Sequence, residues 1–170
     1  MKSSDDNNNF FIHSLQGLHA NDKLREMEHY IQHGSTSTFS HCLTVAYISY
    51  RLTLHLPIRF DKRSVIRGAM LHDFYLYDWH IPHKSHRLHG FRHPRFALIN
   101  AKQYYPLSPI EEDIIQKHMW PLTITRCPIY KESILVCFVD KFCSLAETLH
   151  IPLKTKELHQ VMASLNNLNL

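Results

Sequence analysis

The run V-I-R-G-A-M-L-H-D-F at residues 65–74 ends in an imidazole and a carboxylate where a core-facing helix should carry apolar groups. Val65, Ala69, His72 and Asp73 fall at i, i+4, i+7 and i+8, so both polar side chains continue one apolar stripe. Burying such a pair is costly unless something compensates it, and a cation is the usual partner. A chain built this way has to fold so that further ligands converge on His72 and Asp73 from other segments.

Those segments read as helices separated by proline and loop signals. The polar stretch 1–9 reads as a disordered tail. Asn21 is a good N-cap for a first helix carrying Leu24, Met27, Glu28 and Ile31 on one side, and the Gly-Ser-Thr cluster at 34–38 breaks it. A second helix spans about 37–55 and stops before Pro57, and a third covers 61–72. No helical period survives between Phe74 and Arg92. Pro94 suits a first helical position, giving a helix to Tyr105, and Pro109 opens another that ends near His118. A long helix over 131–149 and a short one over 155–166 complete the chain. Neither a repeat nor a strong strand pattern is present. The expected fold is therefore all-α, a single-domain bundle of about six to eight helices. Residues 1–20 form a lead-in, 21–150 the body, and 151–170 a terminal helix packed on it.

Composition narrows the class. At 170 residues the chain can bury a real core, and its 44% hydrophobic and 20% charged content is ordinary for a globular protein. A formal charge of +4 favours anionic ligands in general but is too small to argue for nucleic acid. The four cysteines have no C-x-x-C pair, which suits buried free thiols and a reducing cytoplasm. No stretch has the length of a membrane span or the form of a signal peptide. Histidine, at fifteen residues, is the unusual count.

Other polar residues interrupt apolar stripes in the same way. His41 shares its stripe with Val45, Ile48 and Leu52; His93 precedes Ala97, Ala101 and Tyr104; His118 follows Ile110, Ile114 and Ile115. Asp140 sits beside Val136 and Cys143 within I-L-V-C-F-V-D-K-F-C. With His72 and Asp73 these make four imidazoles and two carboxylates aimed at the core from five helices. One such histidine would be an ordinary core residue, but six inward polar groups need a shared partner.

The order and spacing of H-C-L-T-V-A, G-A-M-L-H-D-F, H-G-F-R-H-P-R-F-A-L, I-I-Q-K-H-M-W and F-V-D-K resemble the HD-domain superfamily of metal-dependent phosphohydrolases, over roughly His41 to Glu147. The His-Pro pair and the later histidine resemble the six-ligand, two-metal branch that includes HD-GYP phosphodiesterases. The GYP signature is missing, since M-W-P-L-T follows the histidine, which puts cyclic-di-GMP in doubt as substrate. The resemblance implies an HD-domain bundle and a phosphohydrolase acting on a small phosphate ester, nucleotide or sugar phosphate, through a metal-bound hydroxide.

Imidazole and carboxylate suit Mn, Fe, Zn or Ni better than Mg. The expected partition gives one ion His41, His72, Asp73 and Asp140, and gives a second ion His93, His118 and a bridging Asp73. His89, four residues before His93, is a rival ligand. Lys141 is a candidate catalytic residue for the leaving group, although a helical step of about 100° turns it away from Asp140. Glu147 is placed to fix the tautomer of a ligating histidine. Lys84, Arg87 and Arg92 are candidates to clamp phosphate, while Tyr77 and Trp120, with Tyr75 and Trp79, are candidates to stack on a base. His80, His83 and His86 read as surface histidines. Two alternatives remain open with the same ligands: a di-iron oxygenase similar to myo-inositol oxygenase, and a non-catalytic nucleotide-binding domain.

Overall fold

The computed structural model describes residues 4–19, 21–81, 88–153 and 155–167. Lys84 and Arg87, with His83 and His86, lie outside the described residues. Helix α1 (Ser4–His19) leads through a 3-10 helix (Asp22–His29) to an antiparallel ribbon of β1 (Ile31–His33) and β2 (Thr36–Ser37). Helices α2 (Thr38–His55), α3 (Lys62–Leu71), α4 (His89–Tyr104), α5 (Pro109–Lys117), α6 (Lys131–Thr148) and α7 (Lys156–Asn167) follow. The fold is all-α apart from the small ribbon. Among the described residues no helix is long and apolar enough to cross a membrane.

Capping chemistry sets most helix starts. Ser37 accepts from the Ser40 amide, Asp61 from the Ser64 amide, and Asn21 from the Lys23 amide. Helix α5 opens with Pro109 and a capping box in which Ser108 and Glu111 satisfy each other's backbone amides. Glu111 also accepts from buried Arg67 Nε at 2.6 Å, which ties α5 to α3. These helices cross closely at Gly68, where an added Cβ would lie 2.6 Å from Ile114 Cδ1.

Three sequence expectations change. The segment read as a disordered tail is helical from Ser4, because Phe11, Leu15 and Leu18 repeat at helical spacing and are fully buried. Asn7 and Asn8 then reach the Tyr50 and Tyr47 hydroxyls, both at 3.4 Å. The polar residues follow a helix whose burial is decided further along.

The helix expected to start at Pro94 begins at His89, with Pro94 inside it. Its N-cap, Leu88, has φ 58, and its carbonyl takes the Phe91 and Arg92 amides. Proline there forfeits only the bond to the Gly90 carbonyl, which the packing of Ala97 and Ala101 on the core outweighs.

The 34–38 cluster does not simply end a helix. Gly34 takes φ +56 and turns the chain between β1 and β2, which no strand pattern had indicated.

Candidate metal centre

Each of the six polar residues on apolar stripes is buried, and five elements carry them to one place: α2, the end of α3, α4, the end of α5, and α6. His72 and His118 are the C-caps of α3 and α5, so each leaves its helix where the chain turns. Asn100 of α4 donates to the Phe74 and Tyr75 carbonyls and pins the backbone just beyond Asp73.

Every histidine of the group has its Nδ1 engaged on the side away from the centre. Nδ1 of His72, His93 and His118 donates to the carbonyls of Ala69, His89 and Ile115 at 2.7, 2.9 and 2.9 Å. That of His41 donates to Glu147 Oε2 at 2.8 Å, the contact expected of Glu147. A carbonyl oxygen only accepts, so these nitrogens carry the proton and a neutral ring presents a bare Nε2. All four Nε2 atoms face the two carboxylates.

The separations match a shared coordination sphere. Ligand atoms about 2.1 Å from one ion stand about 3.0 Å apart on an octahedron and about 3.4 Å on a tetrahedron. Here His41 Nε2 is 3.1 Å and His72 Nε2 3.5 Å from Asp140 Oδ1, and His72 Nε2 is 3.3 Å from Asp73 Oδ2. On the other side Asp73 Oδ1 lies 3.1 Å from His93 Nε2 and 3.4 Å from His118 Nε2. Three triads have potential ligand atoms within 4.8 Å of one another: His41, His72 and Asp73; Asp73, His93 and His118; and His72, His118 and Asp140. Asp73 belongs to the first two, one oxygen toward each.

Hydrogen bonding leaves this cluster incomplete. His72 Nε2 and Asp73 Oδ1 are buried without a hydrogen-bond partner, although nitrogen and oxygen acceptors crowd around them. With the ring neutral both atoms are acceptors and repel, and a cation between them, a proton or a metal ion, removes the repulsion. The donor set therefore fits divalent metal.

Electrostatics hold the two carboxylates ionised, while they favour a proton on His41 and His72 in the metal-free protein. Burial opposes ionisation of Asp73, but His72 and His93 hold its carboxyl well below the usual carboxylate range. Asp140 is held low against the same burial by His41 and His72. Burial also opposes charge on His41, yet hydrogen bonds to Asp140 and Glu147 raise it to about 10. His118 is pushed down to about 4 by burial, with His72 and His93 adding to the effect.

A cavity of about 580 Å³ opens onto this cluster. Asp73, His93, His118 and Asp140 line it together with Trp79, Met119, Pro121 and Leu122. Lys141 reaches the rim; its Nζ donates to the His118 carbonyl at 2.5 Å and lies 3.8 Å from Asp140 Oδ2. The expectation that the helical step turns Lys141 away from Asp140 is thus corrected: the backbone does turn, but the flexible side chain folds back.

The structure sorts the remaining candidates. His89 is outside the metal triads; its Nδ1 meets the Tyr77 hydroxyl at 2.9 Å and its ring stacks on His93 and Trp79. Tyr77 stands behind His89 and does not line the cavity. Trp120 is also absent from its lining, leaving Trp79 as the aromatic wall. Arg92 is exposed and lies over the Phe96 ring, beside Arg95 and Arg126 on the outer face, so it does not reach the site. His80 is exposed and pairs with Asp78.

Two polar site residues were missed: Gln32, and Ser144, which lines the cavity and donates to Asp140 Oδ1 at 3.4 Å. Gln32 of β1 donates from Nε2 to Asp73 Oδ2 at 2.6 Å, and its Oε1 accepts from the Tyr75 and Thr38 hydroxyls. No periodic stripe could flag a glutamine in a three-residue strand.

No protein-family model matches the chain, and no similar curated protein or solved structure was found.

Proposed function

We propose that this protein is a phosphohydrolase of the HD-domain type, dependent on two divalent ions and acting on a small phosphate ester. One ion would be held by His41, His72, Asp73 and Asp140, and the other by His93, His118 and Asp73. The observation that carries this reading is the convergence of six ligand side chains, four of which line a cavity of about 580 Å³, a size that suits a small substrate. When bound, two such ions would supply an acidified water and positive charge toward phosphate.

The chain's own residues fix and shape that site. The carbonyls of Ala69, His89 and Ile115, with Glu147, hold each imidazole in the tautomer that offers Nε2. Gln32 holds Asp73 in the orientation that points its oxygens to both sides. Lys141, at the rim, would attract the phosphate and offer a proton donor beside it. Trp79, Met119 and Leu122 would exclude water from the ester's other end.

The test is elemental analysis of protein purified without added metal, followed by turnover of a small panel of phosphate esters. Two ions per chain with hydrolysis, both abolished by Asp73→Ala, is the expected result. Tightly held iron with oxygen consumption and no phosphate release would overturn the hydrolase in favour of an oxygenase. Full activity in Asp73→Ala would end the two-metal reading.

A further inference from the structure

The opposite face of α6 carries a second feature, independent of the metal centre. Its exposed positions are Lys131, Ile134, Phe138, Phe142, Leu145 and Thr148, so between the terminal turns every fully exposed position is apolar, with half-exposed Lys141 at the edge of the stripe. The stripe continues through Leu149 to Ile151, and the residues from Ile134 to Ile151 on it are 45–60% exposed. Phe138 and Phe142 lie one helical turn apart at its middle. A surface helix normally puts charge on this face, and a contiguous apolar patch of this kind marks an interaction site.

We propose that this face of α6 pairs with the same face of a second copy of this chain, as an antiparallel helix pair about a two-fold axis. The part of the stripe on α6, Ile134 to Leu145, is centred between Phe138 and Phe142, so an antiparallel partner sets Phe138 against its Phe142 and Ile134 against its Leu145. The arrangement is self-complementary, as a two-fold interface requires. It also sets the Lys131 ammonium of each copy near the carbonyl end of the other α6, where the helix dipole is negative. At these exposures the six apolar side chains offer on the order of 600 Å² per copy, the lower end of the range of about 600–1,000 Å² per partner in specific interfaces. Helix-pair geometry and charge thus favour a second copy over an unrelated protein.

Asp140 projects from the other side of α6 and Lys141 stands at the edge of the stripe, so pairing would brace the helix that carries both. Sedimentation equilibrium of the full chain with its metal as purified tests the proposal. The expected mass is twice that of the chain at about 100 μM, falling to a single chain in Phe138→Glu and in Phe142→Glu with circular dichroism and metal content unchanged. A wild-type chain that stays monomeric at that concentration overturns the proposal, and so does a dimer that survives both substitutions. A monomeric wild type overturns the proposal even if one substitution prevents folding, and the other substitution then still tests the face.

Discussion

His93 Nε2 and His118 Nε2 stand 2.7 Å apart, each on a ring whose Nδ1 is committed to a backbone carbonyl. Burial pushes His118 down to about 4, so its own Nε2 is an acceptor at neutral pH. Two ring nitrogens this close, with Asp73 Oδ1 beside them, suit a shared cation.

Chelation should therefore destabilise the protein, and metal should restore it. At a free-ion concentration about 100 times the dissociation constant, binding adds about 2.7 kcal/mol. A melting temperature in EDTA that is lower by several degrees and recovers with Mn or Zn is the expected result in thermal denaturation. His93→Ala and His118→Ala should each remove one ion of two by elemental analysis, while His41→Ala removes the other.

Gln32→Ala and Glu147→Ala touch no ion but leave Asp73 and His41 without their orienting hydrogen bonds. Loss of such a partner typically costs 10- to 100-fold in metal affinity. Competition with a fluorescent chelator would measure it. Glu147→Gln, which keeps an acceptor for His41 Nδ1, should recover part of the loss.

Metal affinity should rise with pH. In the metal-free protein, hydrogen bonds to Asp140 and Glu147 outweigh burial and raise His41 to about 10, above its ordinary 6.5. A raised imidazole stabilises the metal-free fold fully below about pH 6.5 and loses that contribution as pH climbs through about 10. An ion must displace this proton, so near pH 7 binding should release at least one proton per chain. Calorimetry in two buffers of different ionisation enthalpy counts it, and an absence of release would contradict the assignment of His41.

Gly68→Ala should cost about 1–3 kcal/mol in denaturant unfolding, because the new methyl meets Ile114 at 2.6 Å where α3 and α5 cross. Adding Ile114→Val removes the Cδ1 in that clash, so the pair should be less destabilised than the sum of the single changes. Since both helices end in site histidines, Gly68→Ala should also weaken metal binding.

Local pattern determined much of this protein from its sequence. Helical stripes and capping residues such as Ser37, Asp61 and Ser108 fixed where most helices begin, because those effects act within a turn or two. The same stripes exposed His41, His72, Asp73, His93, His118 and Asp140, since a polar group at a core position breaks a short-range period. Tertiary packing decided the rest. The first residues became helical because Phe11, Leu15 and Leu18 found a core to enter, and α4 started at His89 because a proline bond lost near a helix start is cheap against burial. Gln32 reached Asp73 across a separation of 41 residues, and Lys141 folded back over a carboxylate its backbone turns from. Arg92, which looked like a phosphate clamp, was carried to the outer face by the rotation of its helix. Residue type and spacing supply the ligands, but only the packed chain determines which side chains surround them.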